Sequence, residues 1–444
     1  MTVMPKMEMS PTEAMDALRS RLLVDGFKIL LDLEASHGVY LADLLTGREY
    51  LDMYAFFAAQ PIGYNHPRMR EPQVQQELLT AATTKPANPD VYTPQFARFV
   101  KTLSEIAGLP GFEHYFFIDG GALAVENALK TAFDWKVRKN MAAGRHETGF
   151  RVIHFSQAFH GRTGYTLSLT NTSDPKKTMY FPLFDWPRID NPRIDFSLPE
   201  PQRTQDVIAR EQAALRQIHD AIRRYGHDIA CLIIEPIQGE GGDNHFRPEF
   251  LRALRDICDR HEMLLIFDEV QTGVGLTGSM WYCEQTGVLP DILCFGKKMQ
   301  ICGIMCTRRI DDVDNVFKVS SRINSTFGGN LADMVRATEY LRIIRDENLV
   351  ERARTTGEHL QKGLHDLARR HPRVTAVRGK GLMCAFDLPD GKSRDALRKT
   401  CQERYLLLLS CGDRSIRFRP VLDIDPADVD RGLKILNDAI QSLP

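Results

Sequence analysis

Long hydrophobic runs are missing from this 444-residue chain: none reaches the about 18 residues of a membrane span, and the N-terminus lacks the apolar core of a signal peptide. Excess charge of one sign is missing too. Lysine and arginine total 57 against 58 aspartates and glutamates, a net charge of -1, so there is no basic field for nucleic acid or an anionic membrane. The nine cysteines are odd in number, scattered and mostly set in apolar stretches, which argues against a disulfide framework and suits free thiols in a reducing compartment. Cys302 and Cys306 have no second Cys/His pair at ligand spacing, so no metal site is expected. There is no internal repeat and no low-complexity segment. No G-x-G-x-x-G loop follows the first core strand, which argues against a nucleotide-binding dehydrogenase. The expectation is a cytoplasmic soluble protein, long enough to bury a large core without disulfides or metals.

What is present is an alternation of strands and helices. Residues 1–9 read as a loose tail, and Ser10-Pro11-Thr12-Glu13 opens a helix with a capping box. KILLDLE, GVYLADL and EYLDMY, between Lys28 and Tyr54, read as an antiparallel unit separate from the later sheet. Helices are expected over Glu71–Ala82 and Pro94–Ala107, and HYFFID (114–119) starts an α/β core by running into Gly120-Gly121 and a helix from Ala122 to Lys136. FRVIHFS, DIACLIIE and LLIFD come next as buried-type strands, separated by helices over about 201–225 and Pro248–Arg260. Phe181–Leu198, with three prolines, reads as a surface loop. This order predicts an α/β fold with a mostly parallel sheet covered on both faces. Beyond Pro372 the pattern becomes a compact α+β unit that includes YLLLLS, SIRFRP and a last helix from Pro426.

Chemistry gathers at the expected strand ends. Leu264–Phe267 delivers Asp268 and Glu269, and Ile292–Phe295 delivers Gly296, Lys297 and Lys298. Ligands bind at the carboxyl ends of parallel strands. A primary amine with a nearby carboxylate serves pyridoxal phosphate catalysis: the amine forms a Schiff base with the aldehyde, and the carboxylate keeps the ring nitrogen protonated. Gly120-Gly121 before a helix can cradle an anion, Phe159 can stack on a planar ring, and Arg162 suits a carboxylate. Each feature also has a plain structural use: helix cap, ordinary turn, core aromatic or solvated arginine.

The motifs FDEVQTG and DILCFGKK, with LVDGFKILLDL, GGALAVENALK, FHGRTGYTLSLTNT, FDWPRID, IEPIQGEGGDNHFRPEF and NSTFGGN, resemble class III, or ω-, aminotransferases of fold type I. The likeness covers nearly the whole chain and is closer to the L-lysine 6-aminotransferase branch of that family. It implies a large pyridoxal-phosphate domain (61–335) and a smaller α+β domain built from both chain ends (1–60 and 336–444). Lys297 would carry the Schiff base and shuttle the proton, with Lys298 as a neighbour whose replacement by alanine is mild. Asp268 would pair with the ring nitrogen, Gln271 with the ring hydroxyl, and Phe159 with the ring face. Gly121 and Ala122 would hold the phosphate through backbone amides, joined by Thr326 from the partner subunit of a homodimer with shared active sites. Arg162 would take the α-carboxylate of L-lysine, Asn324 would belong to the substrate site, and Arg417 would take the carboxylate of 2-oxoglutarate, masked in turn by a movable Glu240. Two departures set this chain apart from the broad family: Asp119-Gly120-Gly121-Ala122-Leu123-Ala124 lacks the hydroxyls of Asn-Ser-Gly-Ser/Thr-Glu-Ala, and Ile301 stands where a small residue is usual. The alternatives are another ω-aminotransferase, acting on ornithine, diaminobutyrate or 4-aminobutyrate, and a non-catalytic cofactor-binding relative.

Overall fold

The computed structural model describes residues 9–443; residues 1–8 of the expected tail lie outside them. Its centre is a seven-stranded sheet in the order 112–118, 302–307, 292–295, 264–268, 229–234, 151–155, 188–189. Strand Cys302–Thr307 is antiparallel to both neighbours. The other pairings are parallel. Two antiparallel pairings in succession return Phe112–Ile118 to the direction of the rest, so its carboxyl end reaches the same edge as theirs.

The inner strands Ile229–Ile234 and Ile292–Phe295 are apolar at every position because both faces are covered. Val152, Cys231, Ile233, Leu264, Ile266, Ile292 and Cys294 pack under helix Gly121–Ala142 through Val125, Leu129 and Trp135. Their neighbours Ile153, Leu232, Ile234, Leu265, Phe267, Leu293 and Phe295 face the other way, against helix Pro248–Arg260 and the larger cluster. The two-residue alternation along each strand divides the side chains between the two cores. All nine cysteines are free thiols, and only Cys302 is partly exposed.

Strands Leu31–His37, Tyr40–Asp43 and Arg48–Asp52 form the expected antiparallel unit. It is completed by Leu406–Leu407, paired parallel with Leu51 and Asp52. YLLLLS is therefore not one strand. Its second half, Leu409–Cys411, pairs with Ser415–Phe418 in a separate sheet with Thr375–Lys380 and Met383–Asp387. The Pro-rich stretch 181–198 also holds an edge strand, Arg188–Ile189, beside His154 and Phe155, where the expectation was loop throughout. Among the described residues, no helix is long and apolar enough to cross a membrane.

The C-terminal unit is fastened to the site-bearing loop after strand Ile229–Ile234 by a buried ion pair. In SIRFRP the alternation turns Ile416 and Phe418 into the core, while Arg417 and Arg419 reach the loop of residues 239–243. Arg419 clasps Asp243 through both terminal nitrogens, with side chains 0% and 1% exposed. Removing one partner of such a pair strands the other charge in the interior. Asp243→Ala is therefore expected to cost about 3–5 kcal/mol in urea unfolding. A loss below about 1 kcal/mol, the usual worth of a surface pair, would contradict this role.

Candidate active site

Asp268 ends its strand directly beside Cys294 of the neighbouring strand, two residues short of Gly296. The chain then turns sharply. Lys297 takes a positive φ of 49°, in a short 3-10 turn, Lys297–Met299, a conformation uncommon for a residue with a side chain. A cavity of about 300 Å³ lies over these ends, lined by Gly121, Ala122, Phe159, Arg162, Asp268, Gln271 and Lys297 among others. Seven of the residues singled out in the sequence therefore meet at one cavity.

Its electrostatics suit an amine, an anion and a protonated ring. Burial chiefly, helped by Arg417 and Arg419, holds the Lys297 ammonium below the usual lysine range against the pull of Asp268 and Glu235. Asp268 is 5% exposed. One of its oxygens accepts from the Val270 amide at 3.1 Å and the other lies 2.8 Å from His160 Nδ1. His160 Nε2 is buried with no partner. Helix Gly121–Ala142 begins at Gly120 (φ 103°) with no side-chain cap, so its first amides and the positive end of its dipole are open to an anion. Arg162 is exposed at the rim, with no hydrogen bond or ion pair among the described residues. Lysine, carboxylate, aromatic ring, open helix terminus and a volume at the low end for small-molecule sites fit pyridoxal phosphate.

Glu240 and Arg417 line a second cavity of about 720 Å³, with Tyr54, Phe57 and Ser410. Arg417 is 2% exposed; its Nη2 donates to Glu240 Oε2 at 2.8 Å and its Nη1 to Gln271 Oε1 at 3.3 Å. Glu240 Oε1 accepts from Lys177 at 2.7 Å. Burial pushes the Glu240 carboxyl up, but Arg417 and Lys177 together outweigh it and leave it below its ordinary value. Gln271 Oε1 also accepts from Arg419 Nε (3.1 Å) and Nη2 (3.0 Å). The oxygen is thereby occupied by guanidinium donors, which leaves the amide N–H groups to face a ligand. Gly239 makes room for this arrangement, since a Cβ there would lie 2.2 Å from Gln271 Oε1.

Asn324 and Thr326 are exposed and line neither cavity of their own chain. Lys298, the neighbour of Lys297, is 2% exposed, and its ammonium donates to the carbonyls of Gln271 (2.9 Å) and Ala58 (3.4 Å). Ala55, Phe56, Phe57 and Ala58 all have positive φ, a left-handed turn that costs about 1–2 kcal/mol per residue. Asp52 Oδ1 accepts from the Tyr54 and Ala55 amides at its start, and Gln300 donates to the Ala59 carbonyl at its end, 2.7 Å away.

Sequence reasoning gave no role to His160, Glu235 or Lys177. His160 adjoins Phe159 and Glu235 ends a buried strand, and those positions were the available signals; Lys177 had none. Glu235 accepts from the amides of Phe159 (2.9 Å) and Gly239 (3.0 Å), so it joins Phe159 to the Glu240 loop.

Comparison with known proteins agrees with this geometry. The family model of class-III aminotransferases matches residues 24–440. The L-lysine-epsilon aminotransferase of Mycobacterium tuberculosis is 50% identical over 435 residues, 97% of this chain and 96% of that protein. The mitochondrial 4-aminobutyrate aminotransferase of Sus scrofa is 32% identical over 455 residues, 95% and 89% of the two chains. Among solved structures, the lysine aminotransferase from M. tuberculosis in its internal aldimine form has a TM-score of 0.95 at 50% identity, covering 97% of this chain and 99% of that one.

The buried charges of the site make two outcomes measurable. Lys298→Met leaves two carbonyls without their donor and is expected to lower stability by about 1–3 kcal/mol, read as a fall in the urea midpoint; an unchanged midpoint would contradict this structural role. Burial pushes the Glu235 carboxyl up from 4.5 to about 7, with His160 opposing and Asp268 adding. A carboxyl whose folded value is raised contributes stability below pH 4.5 that is lost as pH climbs through 7. Over that interval the cofactor-free protein should lose on the order of 3 kcal/mol relative to Glu235→Gln. Parallel stability curves for the two proteins across pH 4.5–7 would refute it.

Proposed function

The chain belongs to the class III aminotransferases, and from that premise we propose that it transfers the ε-amino group of L-lysine to 2-oxoglutarate. The products are 2-aminoadipate 6-semialdehyde, which cyclises to piperideine-6-carboxylate, and L-glutamate. One observation carries the substrate reading: buried Arg417 is covered by a carboxylate, Glu240, whose side chain is 28% exposed at the wall of an open cavity. A site that takes a basic amino acid and a dicarboxylate in turn needs such a movable mask, because an unpaired buried guanidinium is costly. The higher identity to lysine-acting than to 4-aminobutyrate-acting relatives supports lysine over the shorter amine.

Pyridoxal phosphate, when bound, supplies an aldehyde that condenses with amines and a ring that withdraws electrons from the attached carbon. The chain's own groups do the rest. Lys297 Nζ, lowered in basicity by burial, would tether the cofactor and then carry the proton at the reacting carbon. Asp268, kept in position by His160, would hold the proton on the ring nitrogen. Phe159 would cover a ring face and exclude water, Gln271 would donate its amide N–H to the ring hydroxyl, and the amides of Gly121 and Ala122 would receive the phosphate. Arg162, at the rim with no partner among the described residues, would bind the α-carboxylate of lysine.

Thr326 and Asn324 would act across a homodimer, a reading supported by their exposure away from their own cavities. The pairing of Leu51 and Asp52 with Leu406 and Leu407 supports a smaller domain drawn from residues 1–60 and 336–444, around a large domain of 61–335. Nine free thiols support work in a reducing, cytoplasmic compartment.

In a single turnover, cofactor-loaded protein should react faster with L-lysine than with L-ornithine or 4-aminobutyrate, and 2-aminobenzaldehyde should trap the six-membered cyclic imine. A faster reaction with either rival would overturn the substrate while leaving the family intact. Lys297→Ala should lower kcat on the order of 10³-fold or more, with phosphate-dependent cofactor binding retained.

A further inference from the structure

Lys177 closes a short 3-10 turn, Pro175–Lys177, in the connection between strands Arg151–Phe155 and Arg188–Ile189. Its side chain is only 12% exposed. Its ammonium donates to Glu240 Oε1 at 2.7 Å and to Thr172 Oγ1 at 3.0 Å, and it lies 5.6 Å from the centroid of the Phe159 ring. The two oxygens of Glu240 are thus divided between two cations, Oε1 to Lys177 and Oε2 to Arg417. No second carboxylate pairs with Lys177 among the described residues.

We propose that Lys177 is the second seat of the Glu240 carboxylate, holding it when Arg417 turns to a substrate carboxylate, and that it thereby sets affinity for the dicarboxylate half of the reaction. The inference rests on the reading of Glu240 and Arg417 given above. An incoming carboxylate that pairs with Arg417 through Nη2 displaces Glu240 from that nitrogen. Without another cation, Glu240 would be left partly out of water beside a second anion, a like-charge contact that opposes binding. With Lys177 already on Oε1, Glu240 gives up one ion pair and keeps the other, so the mask opens by pivoting on a bond that persists. Thr172 Oγ1 accepts a further hydrogen bond from the ammonium. The Phe159 contact ties this seat to the wall of the cofactor cavity, so its position is set by the same loop that covers the ring.

The test uses cofactor-loaded wild type, Lys177→Met, Lys177→Arg, Glu240→Ala and the double variant Lys177→Met/Glu240→Ala. Each is titrated with glutarate, a dicarboxylate that cannot react, by calorimetry, alongside single-turnover rates with L-lysine and KM for 2-oxoglutarate. Lys177→Met should weaken glutarate on the order of tenfold, within the usual range for coupled sites, and raise KM for 2-oxoglutarate in step. The L-lysine half-reaction should change several-fold less, and Lys177→Arg should restore glutarate binding. In the Glu240→Ala background the same lysine replacement should leave glutarate affinity unchanged. Loss that persists there would mean that Lys177 meets the dicarboxylate directly. Equal losses for lysine and glutarate would mean that it only supports the loop, and no loss would remove it from the switch; any of the three overturns the proposal. If Glu240→Ala itself shifts neither glutarate nor lysine, the underlying Glu240–Arg417 reading fails instead.

Discussion

The register between strands Leu264–Asp268 and Ile292–Phe295, with Asp268 opposite Cys294, is the constraint on which the site depends. A slip of one residue would turn every side chain of a strand to the other face, and these strands are buried on both faces by different helices. The register is therefore pinned by two cores at once, one of them packed by Trp135 and Leu129 and the other by Phe250 and Leu254. The spacing of Asp268 and Lys297 results from this packing: the carboxylate and the amine leave adjacent strands at the same edge. No separate device is needed to bring them together.

The charges at that edge are expensive to bury, and the structure compensates them in linked pairs. Glu240 is matched by Arg417 and Lys177 and Asp243 by Arg419, while Asp268 lies 2.8 Å from His160 Nδ1. Glu235 has no cation partner; two backbone amides and a raised protonation range serve it instead. Gln271 links two of these pairs, since its oxygen accepts from both Arg417 and Arg419. Asp243 and Arg419 are fully buried, whereas the Glu240 side chain, paired with two cations, keeps 28% of its surface exposed.

Much of this was legible in the residues because the chemistry sits directly after apolar runs. LLIFD, ILCF and HYFFI announce buried strands, and each leads into or ends on a short, distinctive group: Asp268, Gly296-Lys297 and Gly120-Gly121. SIRFRP was equally readable, as its two-residue period separates Ile416 and Phe418 from Arg417 and Arg419. YLLLLS was not, because four leucines in succession carry no period that marks the break at Leu408 between two sheets. Arg188–Ile189 escaped notice for a different reason: prolines on both sides mask a pairing that only the edge of an existing sheet can supply.

Lys298 and the turn at residues 55–58 expose the limit of local reading most clearly. In sequence Lys297 and Lys298 are equivalent neighbours, and Ala55-Phe56-Phe57-Ala58 has no glycine to signal a left-handed backbone. The distinction arises because Lys297 takes a positive φ, which sends consecutive side chains to different surroundings: one to the cofactor cavity, the other to the carbonyls of Gln271 and Ala58. The strained turn is held by Asp52 just before it and by Lys298 and Gln300 from a distant part of the chain, which satisfy its backbone. It also presents Tyr54 and Phe57 to the cavity that holds Glu240 and Arg417. The second lysine of the motif thus supports a turn that lines the cavity of Glu240 and Arg417, while the first lines the cavity over the strand ends.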